Sequence, residues 1–194
     1  MQIGLFFGSF NPIHTGHLII ANFMADYAHL DEIWFVVSPQ NPFKSSDELL
    51  DEKERLMLLD LAIKEDPRFK SCDIEFTLPR PSFTEHTLTE LSTLYPQHKF
   101  TLIIGGDNLK NFHQWKNYQQ ILAQHQVFVY ARVGIVDKPL LANHPNIKLF
   151  EVPLLNISST YIRESIQAGK SIRYLVPDSV RVKIEERGFY TSSL

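Results

Sequence analysis

The amino-acid sequence predicts an α/β fold, a doubly wound parallel sheet with helices on both faces. Three observations carry that expectation. Short apolar runs alternate with longer segments of helical period over the 194 residues, as in chains whose strands are joined by crossover helices. The runs are apolar throughout instead of alternating, the mark of strands buried on both sides. No internal repeat, low-complexity tract or convincing linker interrupts the series, so one domain over residues 1–194 is expected.

Residues 3–7 form the first apolar run, ended by Gly8. Residues 17–29 follow with Ile20, Phe23, Met24 and Tyr27 at helical spacing. A second strand at 33–37 is stopped by Ser38, Pro39 and Pro42. A helix at 51–65 puts Leu56, Leu59 and Ile63 on one face, with Asp51 and Glu54 at capping-box-like spacing. A weaker strand is predicted at 71–76, a helix at 84–94, and a strongly apolar strand at 100–104 ended by Gly105 and Gly106. A helix at 115–124, strands at 127–131 and 147–152, and a helix at 161–168 stopped by Gly169 come next. A last helix at 179–187 lies between Pro177 and Gly188, and the stretch 133–145 is the most loop-like. Ligands of such sheets sit beyond the carboxyl ends of the strands, which directs attention to the residues after Phe7, Val37, Ile104 and Ala131.

Composition narrows the function classes. Lys and Arg number 19 against 22 Asp and Glu, a formal net charge of −3. No global basic field exists to hold a long nucleic acid, whereas a small phosphorylated ligand needs only a local positive site. The single cysteine, Cys72, rules out an intrachain disulfide and a cysteine-based zinc site within one chain. The N-terminal MQIGLFFGSFNP lacks the regions of a signal peptide, and no run approaches the ~18 apolar residues of a membrane span. A cytosolic (cytoplasmic) chain that binds no membrane is expected.

Four segments carry chemistry. GSFNPIHTGH at 8–17 joins the first strand to the first helix. Gly8 and Gly16 permit close approach of a ligand to the backbone. The helix start after Gly16 offers unpaired N–H groups and a positive dipole end. His14 and His17 lie three apart around a turn, so both imidazoles can face one anion. A plain turn and a metal pair are the competing readings; a metal needs a third ligand, and no acidic or sulfur ligand stands nearby in the sequence. Neither G-x-G-x-x-G nor G-x-x-x-x-G-K-[ST] is present. ISSTYIR at 157–163 sets hydroxyl residues before a helix and Arg163 in its first turn. Ser158 to Thr160 can simply cap that helix. Arg163 opposes the helix dipole, a conflict that an anion between them would resolve. N–H groups, hydroxyls and a guanidinium together make a phosphate clamp.

The third segment is Gly105-Gly106-Asp107-Asn108, where Asp107 can accept from a ribose hydroxyl or cap the next helix. The fourth is Trp115 with Tyr118, set among Asn111, His113, Gln114, Lys116 and Asn117. An aromatic in so polar a context suits ring stacking as well as core packing. Lys44, after Asn41-Pro42-Phe43, reads alone as a solvated loop lysine, and Ser82-Phe83-Thr84 as a helix N-terminus.

GSFNPIHTGH resembles the (T/S)FDPxHxGH signature of the nucleotidyltransferase α/β-phosphodiesterase superfamily, and ISSTYIR resembles its ISSTxxR signature. NPFK from 41, PSFTEHTLTEL from 81, LIIGGDNLKNFHQW from 102 and SIRYLVPDSV from 171 resemble bacterial nicotinate-nucleotide adenylyltransferases. The resemblance spans nearly the whole chain. It implies a single Rossmann-like domain and an adenylyl transfer in NAD biosynthesis. Nicotinate mononucleotide and ATP would give nicotinate adenine dinucleotide and pyrophosphate, with Mg²⁺ carried on ATP. It further implies that Gly8, Ser9, Phe10, His14, Gly16 and His17 line the ATP site, joined by Gly106, Asp107 and Ile157. Ser158, Ser159, Thr160 and Arg163 would hold the adenine side and the polyphosphate, and Lys44 would reach phosphate. Ser82, Thr84, Asp107, Trp115, Tyr118 and Arg132, again with Lys44, would surround the nicotinate nucleotide, Trp115 stacking on the pyridine ring.

Three residues depart from the family pattern: Asn11 stands for the usual Asp, Phe7 where Gly is frequent, and His86 for an Asp. The acceptor's 5′-phosphate is already ionised at pH 7, so no general base is required, and no Ser-His or Cys-His pair for a covalent intermediate is evident. In-line attack on the α-phosphorus is expected, with His14, His17, Lys44, Arg163 and the nucleotide-borne Mg²⁺ positioning and neutralising charge. The rivals are a nicotinamide-mononucleotide or phosphopantetheine adenylyltransferase, a class I aminoacyl-tRNA synthetase core and an inert nucleotide sensor. The segment around Trp115 argues against phosphopantetheine, the short acidic chain without a KMSKS-like motif against a synthetase, and the two histidines with Arg163 against an inert sensor.

Overall fold

The computed structural model describes residues 1–39, 49–131, 141–153 and 155–191. Six parallel strands form one sheet among these residues: β1 (Gln2–Gly8), β2 (Glu32–Val37), β3 (Phe69–Cys72), β4 (Lys99–Gly105), β5 (Gln126–Ala131) and β6 (Ile147–Glu151). Their spatial order is β3-β2-β1-β4-β5-β6. The helices are α1 (Thr15–Tyr27), α2 (Glu52–Ile63), α3 (Thr84–Leu94), α4 (Gly106–Asn111), α5 (Tyr118–Gln124), α6 (Ser159–Gln167) and α7 (Asp178–Arg187). Leu5 of β1 lies opposite Trp34 of β2 and Leu102 of β4. The winding reverses between β1 and β4, and a crevice opens at such a reversal beyond the carboxyl ends of the strands.

Both faces of the sheet are covered, as expected. Phe6, Phe35, Ile103 and Phe128 pack into a core with α1, α2, α6 and α7. Their strand neighbours Leu5, Val36, Leu102 and Val129 pack into a second core with α3, α4 and α5. This period of two is the pleat itself, and here both of its phases are apolar. None of the described helices is long and apolar enough to cross a membrane.

Three predicted elements are corrected. The strand expected at 71–76 runs instead from Phe69 to Cys72, and Ile74–Phe76 is a 3₁₀ turn that carries Glu75 into the interior. The apolar–polar–apolar triplet mimics strand alternation there. The helix expected from 115 begins at Tyr118, because Trp115 is extended and Asn117 is left-handed at φ 53°. The strand stop expected at Gly105 and Gly106 falls after Gly105, which caps α4, and Gly106 is the first residue of that helix, its low propensity masking the helix. Of the loop expected at 133–145, residues 133–140 lie outside the described residues, and 141–145 carry no strand or helix.

Candidate active site

The loop between β1 and α1 is built around two imidazoles. His14 occupies the N-cap of α1, and His17 is its third residue. The His14 backbone N–H donates to His17 Nδ1 at 3.3 Å, so a neutral His17 carries its proton on Nε2. The two rings stack, with centroids 3.6 Å apart and planes at 21°. Phe10 meets His17 edge-on at 5.2 Å. Phe10 is itself buried at φ 43°, and a Cβ on Gly8 would meet its ring at 2.8 Å. Gly8 thus makes room for Phe10, and Phe10 supports His17 from beneath. Gly16 makes room for His14, whose ring lies 3.1 Å from where a Cβ would be. His14 is 5% exposed, and burial pushes its pKa down to about 4. It is therefore neutral at pH 7, with a buried Nδ1 that has no hydrogen-bond partner. A buried polar atom of that kind at a ligand crevice suits a polar ligand.

The segment at 157–163 closes over this loop. Ser158 caps α6, its hydroxyl accepting from the Tyr161 N–H at 3.1 Å. The Ser159 hydroxyl donates to the Pro12 carbonyl at 2.9 Å, and Arg163 Nη1 donates to the Asn11 carbonyl at 3.0 Å. Capping thus falls to Ser158, while Ser159 and Arg163 tie this segment to the β1–α1 loop. Thr160 is exposed and Ile157 half-buried. Among the described residues no group of three or more His, Cys, Asp or Glu could hold a metal ion.

Of the other predicted site residues within the described ones, Gly106 and Asp107 follow β4 directly, and Ser82, Thr84, Trp115 and Tyr118 lie around the starts of α3 and α5. Gly106 and exposed Asp107 open α4 directly beyond β4. A Cβ on Gly105 would overlap the Asp107 carboxylate and press on Tyr130. Burial, with Asp107 adding to it, pushes the Tyr130 hydroxyl up to about 12. Trp115 is half-buried against Phe112, at 5.1 Å between centroids, and Tyr118 follows at the start of α5. Thr84 opens α3, while the Ser82 hydroxyl is committed to Glu75 at 2.9 Å. His86 lies on the first turn of α3, where its Nε2 and Lys116 Nζ approach to 3.3 Å, beside Trp115. The departure at His86 therefore joins α3 to the Trp115 segment. Lys44 and Arg132 lie outside the described residues.

Two site-building residues escape sequence reasoning. Arg55 of α2 is 1% exposed and donates to the carbonyls of Leu50 (2.8 Å), Ser38 (2.9 Å), Pro39 (3.1 Å) and Ser9. Its spacing from Leu59 and Ile63 places it on the inward stripe, the one signal that could have found it. Tyr190, at φ 65° just past the Gly188 helix stop, is buried, and its hydroxyl donates to Asn11 Oδ1 at 3.0 Å. Asn11 Oδ1 also accepts from the Leu50 N–H at 3.1 Å. An aromatic pair beyond a helix-stopping glycine was its faint trace.

Comparison with known proteins agrees with this geometry. The cytidylyltransferase-like family model matches residues 5–165. A Cytophaga hutchinsonii relative, named probable nicotinate-nucleotide adenylyltransferase, is 53% identical, covering 99% of this chain and all of its own. A Bacteroides fragilis relative of the same name is 47% identical over 94% of this chain and 90% of its own. In fold, the chain is similar to the Plasmodium falciparum nicotinic acid mononucleotide adenylyltransferase solved with NaAD, at a TM-score of 0.80 and 19% identity over 97% of each chain. Motifs, sheet order and relatives converge: this chain belongs to the cytidylyltransferase-like family and, within it, to the nicotinate-nucleotide adenylyltransferases.

Proposed function

We infer that this chain transfers the adenylyl group of ATP to nicotinate mononucleotide, releasing pyrophosphate. The observation that carries the reading is the convergence of two segments about 150 residues apart at the strand reversal. Arg163 and Ser159 of one segment bond to the Asn11 and Pro12 carbonyls of the other. That arrangement gathers a guanidinium, two imidazoles and a helix N-terminus where a polyphosphate fits.

In this reading the acceptor phosphate attacks the α-phosphorus in line, and pyrophosphate leaves. Charge grows on the departing oxygens, and His17 Nε2–H, Arg163 and Lys44 meet it. Neutral His14 donates a hydrogen bond without adding charge. Mg²⁺ enters on the ATP phosphates as part of the substrate and keeps most of its water. The mononucleotide lies between Trp115 and the start of α3. Phe83 at the N-cap of α3 offers its first amides no side-chain acceptor. Those amides and the positive dipole end suit a carboxylate better than an amide.

Product analysis with ATP, Mg²⁺ and each pyridine mononucleotide tests the reading. Leaving one buried donor unpaired costs ~1–3 kcal/mol, so kcat/KM should favour the nicotinate form by roughly five- to two-hundredfold. Equal values would defeat that preference and leave adenylyl transfer standing. No dinucleotide from either acceptor would defeat the reading itself.

A further inference from the structure

Between the two halves of the site lies a buried network of opposite charges that no step above uses. Glu75 is 3% exposed, and no ion pair to it forms among the described residues. Hydroxyls surround its carboxylate instead. Ser82 Oγ donates to one oxygen at 2.9 Å and Thr87 Oγ1 to the other at 2.8 Å; burial pushes the Glu75 pKa up, and the hydroxyls of Thr87, Ser82 and Ser38 counter it by favouring the carboxylate. Ser82 and Thr87 bracket the start of α3, the acceptor side. Ser38 ends β2, and its N–H donates to the Gly8 carbonyl at 2.9 Å. Its own carbonyl accepts from Arg55, whose same nitrogen also holds the Ser9 carbonyl of the ATP-side loop. Arg55 likewise makes no ion pair among the described residues.

Burying a carboxylate and a guanidinium apart from each other is costly, and apolar residues of similar size would commonly be no worse for stability. The expense is intelligible when the polar groups fix a geometry. Arg55 grips carbonyls in the fixed fork of a planar group. Glu75 draws three hydroxyls onto one point. The Ser38 residue joins the two, its carbonyl bonded to Arg55 and its hydroxyl acting on the Glu75 carboxylate, so a chain of contacts runs from Ser9 through Arg55, Ser38 and Glu75 to Ser82 and Thr87.

We propose that Arg55, Ser38 and Glu75 are positioning residues that set the acceptor-binding start of α3 against the ATP-side loop, with Glu75 the anchor of the acceptor half. The proposal rests on the adenylyltransferase reading for which half binds which substrate. It separates two effects. Loosening Glu75 from α3 disturbs acceptor binding alone. Cutting the link at Ser38 leaves each half intact but misaligns the reacting groups, and small misalignments are expensive in rate.

Steady-state kinetics on the full chain test this with variants of small size change. Thr87→Val should raise KM for the mononucleotide about five- to thirtyfold, the effect of one impaired buried hydrogen bond, with KM for ATP within twofold, whereas Glu75→Gln, which touches both α3 and Ser38, should add a fall in kcat. Thr87→Ser keeps the donor and should restore KM to near the wild-type value. Ser38→Ala should lower kcat about tenfold or more while both KM values stay within twofold. Parallel changes in both KM values, no change in either, or Thr87→Ser behaving like Thr87→Val would overturn the proposal. Wild-type turnover is measured first. Its absence would sink the functional reading, whereas turnover with unselective variants would sink the brace alone.

Discussion

The Tyr190 hydroxyl donates to the Asn11 side-chain oxygen at 3.0 Å, across 179 residues of sequence. The Asn11 carbonyl is held by Arg163 and its side chain by the Leu50 N–H, so one residue of the ATP-side loop is gripped from three directions. Tyr190→Phe keeps the packing and removes one grip. The expected loss is about 1 kcal/mol of stability, or roughly 2–4 °C in Tm at this chain length. Calorimetry checks it; an unchanged Tm would show that the bond contributes nothing.

Gly16→Ala is expected to harm activity far more than folding. The new Cβ would stand 3.1 Å from the His14 ring, which is buried and stacked on His17 and has nowhere to retreat. The pair must give by a few tenths of an ångström, which lowers kcat/KM, up to about a hundredfold where the shift grows to ~1 Å at the reacting groups. Far-UV circular dichroism should stay as in the wild type while turnover falls.

His17→Ala should lower kcat by ~10²–10³ with a much smaller change in ATP affinity, as losing one donor to developing charge typically does. Pre-steady-state and binding measurements separate the two quantities. A wild-type kcat would remove His17 from the chemistry.

Arg163→Lys should be nearly as damaging as Arg163→Ala. The guanidinium is planar and oriented through Nη1 on the Asn11 carbonyl, so its remaining donors point in fixed directions, which an ammonium on a flexible stem cannot match. Full activity in the Lys variant would show that charge alone suffices.

Stability should fall on acidification because of His14. Its folded pKa is pushed from 6.5 to about 4 by burial. Above pH 6.5 neither state binds the proton, and the native state loses nothing. Between pH 6.5 and 4 the unfolded chain takes a proton that the native chain refuses. The loss grows to about 3 kcal/mol near pH 4 and then levels off. Urea titrations of wild type and His14→Gln at pH 7.5 and 4.5 measure this, and the variant should show the smaller difference.

The two motif segments that the structure brings together were readable before any fold. His14, His17, Ser158, Ser159 and Arg163 sit in short segments whose spacing is itself the signal, and helix α3 begins and ends where its periodicity says. What stayed hidden is defined by distant partners. Arg55 looks like one more surface arginine until the carbonyls of Ser9 and Ser38 are seen around it, and Glu75 like an outward strand residue until three hydroxyls converge on it. Helix α4 was foreshadowed only by Asp107 as a candidate cap, because the Gly106 that opens it lowers helix propensity. The histidine pair announces itself, while the framework that holds it does not.

The grip of Tyr190 on Asn11 also sets a clock. A ribosome adding about 5–20 residues per second delivers Asn11 roughly ten to forty seconds before Tyr190, given the 179 residues between them. Arg163 emerges little earlier. For most of that interval the nascent chain already carries both histidines and the Leu50 and Arg55 donors to their loop, yet the grips of Arg163 and Tyr190 are missing. The loop that carries His14 and His17 thus receives its Arg163 and Tyr190 anchors long after the histidines themselves.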